Sequence, residues 1–242
     1  MRRLPAHEKA GEDGMMTLTE HLEELRTRII RSLIAVVVCA GLCYFFIDDI
    51  TAVITAPAGT LYFMKPADAF FIYIKLLAAS GVVLASPYLF YQFWAFLIPA
   101  FSAHGRTVLT TLTISSLTLF VIGGAMAFFF VVPNGLKFFL SFGDGMAQAM
   151  ISMESYLNFV LMLVLPFGCA FNLPLVLIIL GKLGLITSDK MKKWRKLVIF
   201  GSFVASAVLT ATTDVFTQCL LAMPIIILYE ISRLIIKYGM KQ

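Results

Sequence analysis

Runs of about 20 apolar residues recur along this chain, the length an α-helix needs to cross the hydrocarbon core of a bilayer. They cover residues 29–47, 69–92, 108–132 and 156–180. A short run follows at 197–209, and a last one at 215–236 is interrupted by Pro224 and Glu230. Inside lipid a backbone must satisfy its own hydrogen bonds, so such runs fold as helices. The residues therefore predict an all-α integral membrane protein with six transmembrane helices, framed by polar tails at 1–18 and 239–242. Charge agrees with this: charged residues make up 14% of the chain, against about 25% in a soluble domain.

Loop charge predicts the orientation. Basic residues collect on the cytoplasmic side of bacterial membrane proteins. With both termini placed there, only Lys65, Lys75 and Lys137 of the 19 basic residues fall on the opposite side. The first 28 residues are polar and charged, with no apolar core of a cleavable leader. The first apolar run is thus expected to remain as a helix, preceded by a short helix from Glu20 to Arg31. Two longer segments, 48–68 and 133–155, are expected on the external side. Residues 210–214 form a tight link between the last two spans.

Pro87, Pro99, Pro166, Pro174 and Pro224 lie within or at the ends of spans. Each removes a backbone donor and bends its helix, which favours a curved, concave molecule. Cys39, Cys43, Cys169 and Cys219 read as small apolar side chains in helices. The histidines (His7, His21 and His104) lie outside the apolar runs, so neither a metal site nor a cofactor is expected. The same absence argues against an intramembrane protease, which needs a Ser–His arrangement, paired buried aspartates or a His-Glu-x-x-His site. The chain is read as no enzyme. A secondary transporter or channel for a small solute is the alternative function. That reading calls for inverted repeats and several ionisable groups at mid-membrane, and neither is evident.

Just ahead of the first span the chain reads His21-Leu-Glu23-Glu24-Leu-Arg26-Thr-Arg28. Arginines here serve topology, whereas carboxylates contribute little to it. Glu24 and Arg28 stand at i, i+4, so a local ion pair is one reading. The other is a carboxylate held at the membrane surface to receive a cation, best an arginine, whose fork matches it. The end of the second run reads Ser86-Pro87-Tyr-Leu-Phe-Tyr-Gln92-Phe-Trp94-Ala-Phe96-Leu-Ile-Pro99-Ala100, an aromatic, bent helix end.

These two motifs, with Phe171…Pro174, Leu209-Thr210 and Asp214-Val-Phe-Thr217-Gln218, closely resemble the TatC family of twin-arginine protein translocases. The resemblance spans about residues 19–238. It implies a concave six-helix fold and a receptor for signal peptides bearing paired arginines. It also implies small single-span partners, TatA-like and TatB-like, export of folded proteins driven by the proton-motive force, and a bacterial cytoplasmic (inner) membrane location. By the family pattern Glu24 receives the signal arginines, with His21, Glu23, Arg26, Arg28 and Phe96 nearby. His104, Gly105 and Arg106 form the matching element of the first cytoplasmic loop. Gly105 stands where the family carries a glutamate, and so does Asn172 in the fourth span. Asn172 is also a polar residue at mid-membrane, which by itself marks a functional candidate. Thr217 and Gln218 match the family's partner-docking edge, and Asp214 in the hairpin is read either as a cap for the last span or as a functional acid.

Overall fold

The computed structural model describes residues 18–97, 105–142, 150–210 and 215–239. Helix α1 (Leu18–Cys43) runs unbroken from the charged segment into the first span. A single tight turn carries it into α2 (Ile47–Thr55). The external segment expected from residue 48 thus begins as helix. Its Ile47, Ile50 and Ile54 pack against Ile72, Leu76 and Leu157, and its threonines bond back to carbonyls one turn earlier.

Helix α3 (Asp68–Leu97) contains Pro87 without ending there. Helix α4 (Gly105–Met126) passes through one π-helical turn, Ala127–Val131, into α5 (Val132–Ser141). The sequence suggested a loop from Pro133. The widened turn instead sets Pro133 in the first turn of a new helical segment, where a missing N–H is harmless. Helices α6 (Met153–Ala170) and α7 (Leu173–Lys182) form one span broken at Phe171–Asn172, with Pro174 opening α7. Gly184, at φ +73°, closes α7. There Leu185 N–H donates to Leu180 C=O, a left-handed cap that glycine adopts without strain. Helices α8 (Ser188–Thr210) and α9 (Val215–Gly239) form the final pair.

Five stretches among the described residues are long and apolar enough to cross a membrane: 19–58, 68–97, 106–141, 153–182 and 215–238. Helix α8 is the remaining long helix. Its first half is basic, and only the run from Leu197 is apolar. Pro99 lies outside the described residues.

Helix α1 packs chiefly on α3. A Cβ on Gly81 would stand 2.8 Å from Ala40 Cβ and 2.9 Å from Val36 C=O, so the two backbones meet there. Trp94 ties α3 to α4 by donating from Nε1 to Ser116 Oγ at 2.8 Å. The main core joins Ala127 and Val132 to Tyr156, Val160, Leu163 and Phe167 of α6 and Leu221 of α9. On the face opposite the α1 N-terminus the two connecting segments pair through Tyr62 and Ser152. Tyr62 N–H donates to Ile151 C=O, and Met153 N–H to Tyr62 C=O, both at 3.0 Å. Between the helices lies an apolar groove of about 460 Å³, lined by residues such as Ile50, Leu76, Val83, Val121 and Val160.

Candidate functional site

The α1 N-terminal segment and the end of α3 bring a connected set of polar and aromatic side chains together at one edge of the apolar belt. Glu24 and Arg28 share a face of α1 by their spacing. Arg28 donates from Nε at 2.9 Å and from Nη2 at 2.5 Å, both to Glu24 Oε1. Its remaining Nη1 donates to Gln92 Oε1 of α3 at 2.8 Å, and Gln92 Nε2 approaches the Tyr88 hydroxyl at 2.5 Å. His21 stacks on Phe96, with ring centroids 4.3 Å apart.

The second Glu24 oxygen receives no hydrogen bond. His21 Nδ1 stands 3.9 Å from it, too far for one. The carboxylate is therefore half satisfied. The local ion pair that the spacing allowed is formed, and the other oxygen is left buried without a donor.

Two depressions flank this cluster. One, of about 380 Å³, is lined by Glu20, Glu23, Glu24, Thr27, Arg28 and Arg31. The other, of about 330 Å³, runs along the α1–α3 seam between Leu25, Ile29, Leu33, Val36, Leu89 and Phe93, with Arg28 and Gln92 at its polar end. A cationic group met at Glu24 would thus have an apolar channel beside it.

Glu23 and Arg26 are exposed on α1, and Arg106 is exposed in the first turn of α4. Gly105 opens α4. His104 and Asp214 lie outside the described residues. Asn172 sits far from the Glu24 cluster in chain and fold, at the α6–α7 break. Its Nδ2 donates to Gly168 C=O at 3.1 Å and its buried Oδ1 has no partner. Thr217 is buried, and Gln218 Nε2 donates to Phe203 C=O of α8 at 2.8 Å, linking the last two helices.

Three features were not nominated from sequence. Gln92 was visible only as part of a motif, although an amide near a span end is itself a signal. Lys75, about two turns into α3, donates to Glu154 Oε1 at 2.9 Å and to Asn158 Oδ1 at 3.1 Å. Glu230 takes Arg195 Nε at 2.5 Å in addition to Arg233 Nη2 at 3.0 Å; only the i, i+3 partner was foreseeable from spacing.

Fold and site together define a multi-pass α-helical membrane protein with a charged, hydrogen-bonded cluster at one end of its first two long helices. Residues 20–224 match the family of Sec-independent protein translocase proteins, TatC. The TatC protein of Aquifex aeolicus is 39% identical over 225 residues, covering 90% of this chain and 93% of its own. That of Synechocystis is 37% identical, covering 92% and 88%. A crystal structure of a twin-arginine translocase receptor, TatC, superposes with a TM-score of 0.84 at 38% identity, covering 91% of this chain and all of that one. The chain belongs to the TatC family of Sec-independent protein translocases.

Proposed function

We propose that this chain is the receptor subunit of a twin-arginine translocase. It binds Arg-Arg signal peptides of folded proteins at Glu24 and recruits TatA-like and TatB-like single-span partners for export driven by the proton-motive force. The half-satisfied carboxylate of Glu24 carries this reading. Arg28 neutralises one oxygen and is itself held by Gln92, so the carboxylate is fixed before a peptide arrives. An incoming guanidinium takes Oε2 in a charge-assisted bond once the side chains that bury this atom shift, and its weaker hydration suits a part-buried carboxylate better than that of lysine. The apolar seam beside it accepts side chains that follow the cation. Both termini lie in the cytoplasm and the protein sits in the bacterial inner membrane, a placement supported by the charge distribution and by the family. Asn172 contributes a polar point inside the membrane, and the α8–α9 edge near Asp214, Thr217 and Gln218 receives a partner helix.

The test is peptide binding to the purified protein in nanodiscs, comparing an Arg-Arg signal peptide with its Lys-Lys counterpart. Glu24 is partly exposed, so its removal is expected to fall between the surface and buried limits, about 1–2 kcal/mol or roughly 5–30-fold in Kd. Unchanged affinity in Glu24→Ala removes the assignment.

A further inference from the structure

Helix α8 changes character along a single face. Ser202 and Ser206 are buried toward the protein, as is Met191. At 100° per residue the outer side of the helix, an arc of about 120° that runs from Phe200 to Trp194 on its flank, holds Lys190, Lys193, Trp194, Leu197, Phe200, Val204 and Val208. All seven are exposed. The last four are the lipid-facing side of the span. Trp194 follows them toward the start of the helix, with Lys193 adjacent to it and Lys190 one turn further.

The charge on this face is not used within the protein. Arg195 turns inward to Glu230. Among the described residues no carboxylate lies within ion-pair distance of Lys190, Lys192, Lys193 or Lys196. One acid, Asp189, stands in the first turn. Tryptophan sits at the headgroup boundary of a bilayer, so a lysine one turn above it is at the depth of lipid phosphates. Soluble anions would meet the lysines but gain nothing from Trp194 and Leu197. An anionic phospholipid matches both parts, its phosphate with the lysines and its glycerol and upper acyl chains with the indole and Leu197.

We infer that Lys190, Lys193 and Trp194 form a headgroup site selective for anionic phospholipid. A lysine near an anionic surface enriches such lipid about fivefold.

The two tryptophans make the test selective: Trp94 is 1% exposed and Trp194 is 52% exposed, so quenchers in the bilayer report on Trp194. The full-length protein is reconstituted in phosphatidylcholine vesicles containing phosphatidylglycerol, with either lipid brominated in turn on its upper acyl chain. Phosphatidylglycerol is expected to quench severalfold more per mole, with the preference shrinking in high salt. In Lys190→Gln/Lys193→Gln, whose exposed substitutions leave thermal unfolding unchanged, the two lipids should quench alike. Equal quenching in the unaltered protein overturns the site. So does a preference that survives the double substitution.

Discussion

Arg28 Nη1 donates to Gln92 Oε1 at 2.8 Å across 64 positions of sequence. That bond turns a local helical ion pair into a strut between α1 and α3. Removing the amide leaves Arg28 with a single carboxylate oxygen and no link to its neighbour. A hydrogen bond to a charged group contributes about 1.5–3 kcal/mol. Gln92→Leu is therefore expected to lower the midpoint of thermal unfolding in detergent and to weaken Arg-Arg peptide binding. The loss should be smaller than in Glu24→Ala, because Glu24 keeps its oxygen for the ligand. An equal or greater loss in Gln92→Leu would mean that the peptide contacts the amide directly.

The backbone contact at Gly81 sets a second expectation. A methyl group there meets Ala40 Cβ and also Val36 C=O. Overpacking of this kind costs about 1–3 kcal/mol. Gly81→Ala should destabilise the fold, and Ala40→Gly should restore only part of the loss, since the carbonyl remains. Complete rescue would place the whole conflict in the side chain.

Lys75 and Glu154 pair across α3 and α6 while 38% and 34% exposed. Solvent screening limits such a pair to about 1 kcal/mol. A double-mutant cycle of Lys75→Met and Glu154→Gln, read from chemical unfolding, should return a coupling of that size. A coupling near zero would leave Asn158 as the significant partner of Lys75.

The α8–α9 edge offers a sharper comparison. Val215 is 69% exposed and Thr217 is 5% exposed. If a single-span partner docks on this edge, Val215→Cys should form a disulfide with a cysteine in the partner span and Thr217→Cys should not. Crosslinks from Thr217→Cys alone would require the hairpin to open on docking.

Much of the architecture was legible because the bilayer writes its thickness into the sequence as apolar runs. The Glu24–Arg28 pair was legible from helical spacing. Other features were not, for identifiable reasons. Helix continues past Asp48 because isoleucines on α2 find Ile72, Leu76 and Leu157, a contact between distant parts of the chain. It continues past Pro133 because a π-helical turn absorbs the missing donor. The Tyr62–Ser152 bridge, the Gln92 strut and the Gln218 bond to Phe203 likewise join residues that no local pattern relates. Asn172 was weighed as an interhelical hydrogen bond or a functional group, and its amide bonds back to Gly168 C=O, an acceptor left open because Asn172 N–H turns to Cys169 C=O at the α6–α7 break.

Every side chain of the Glu24 cluster falls between His21 and Phe96, on α1 and on its chief neighbour α3. A ribosome releases these parts first. The cluster's donors and acceptors are all in the bilayer once the second span has entered it, while the break at Asn172 and the terminal hairpin are still unsynthesised. Chain order thus separates construction of the Glu24 cluster from construction of the rest. A defect in inserting the later spans would strand a molecule that already carries the complete Glu24 cluster but lacks the α8–α9 pair.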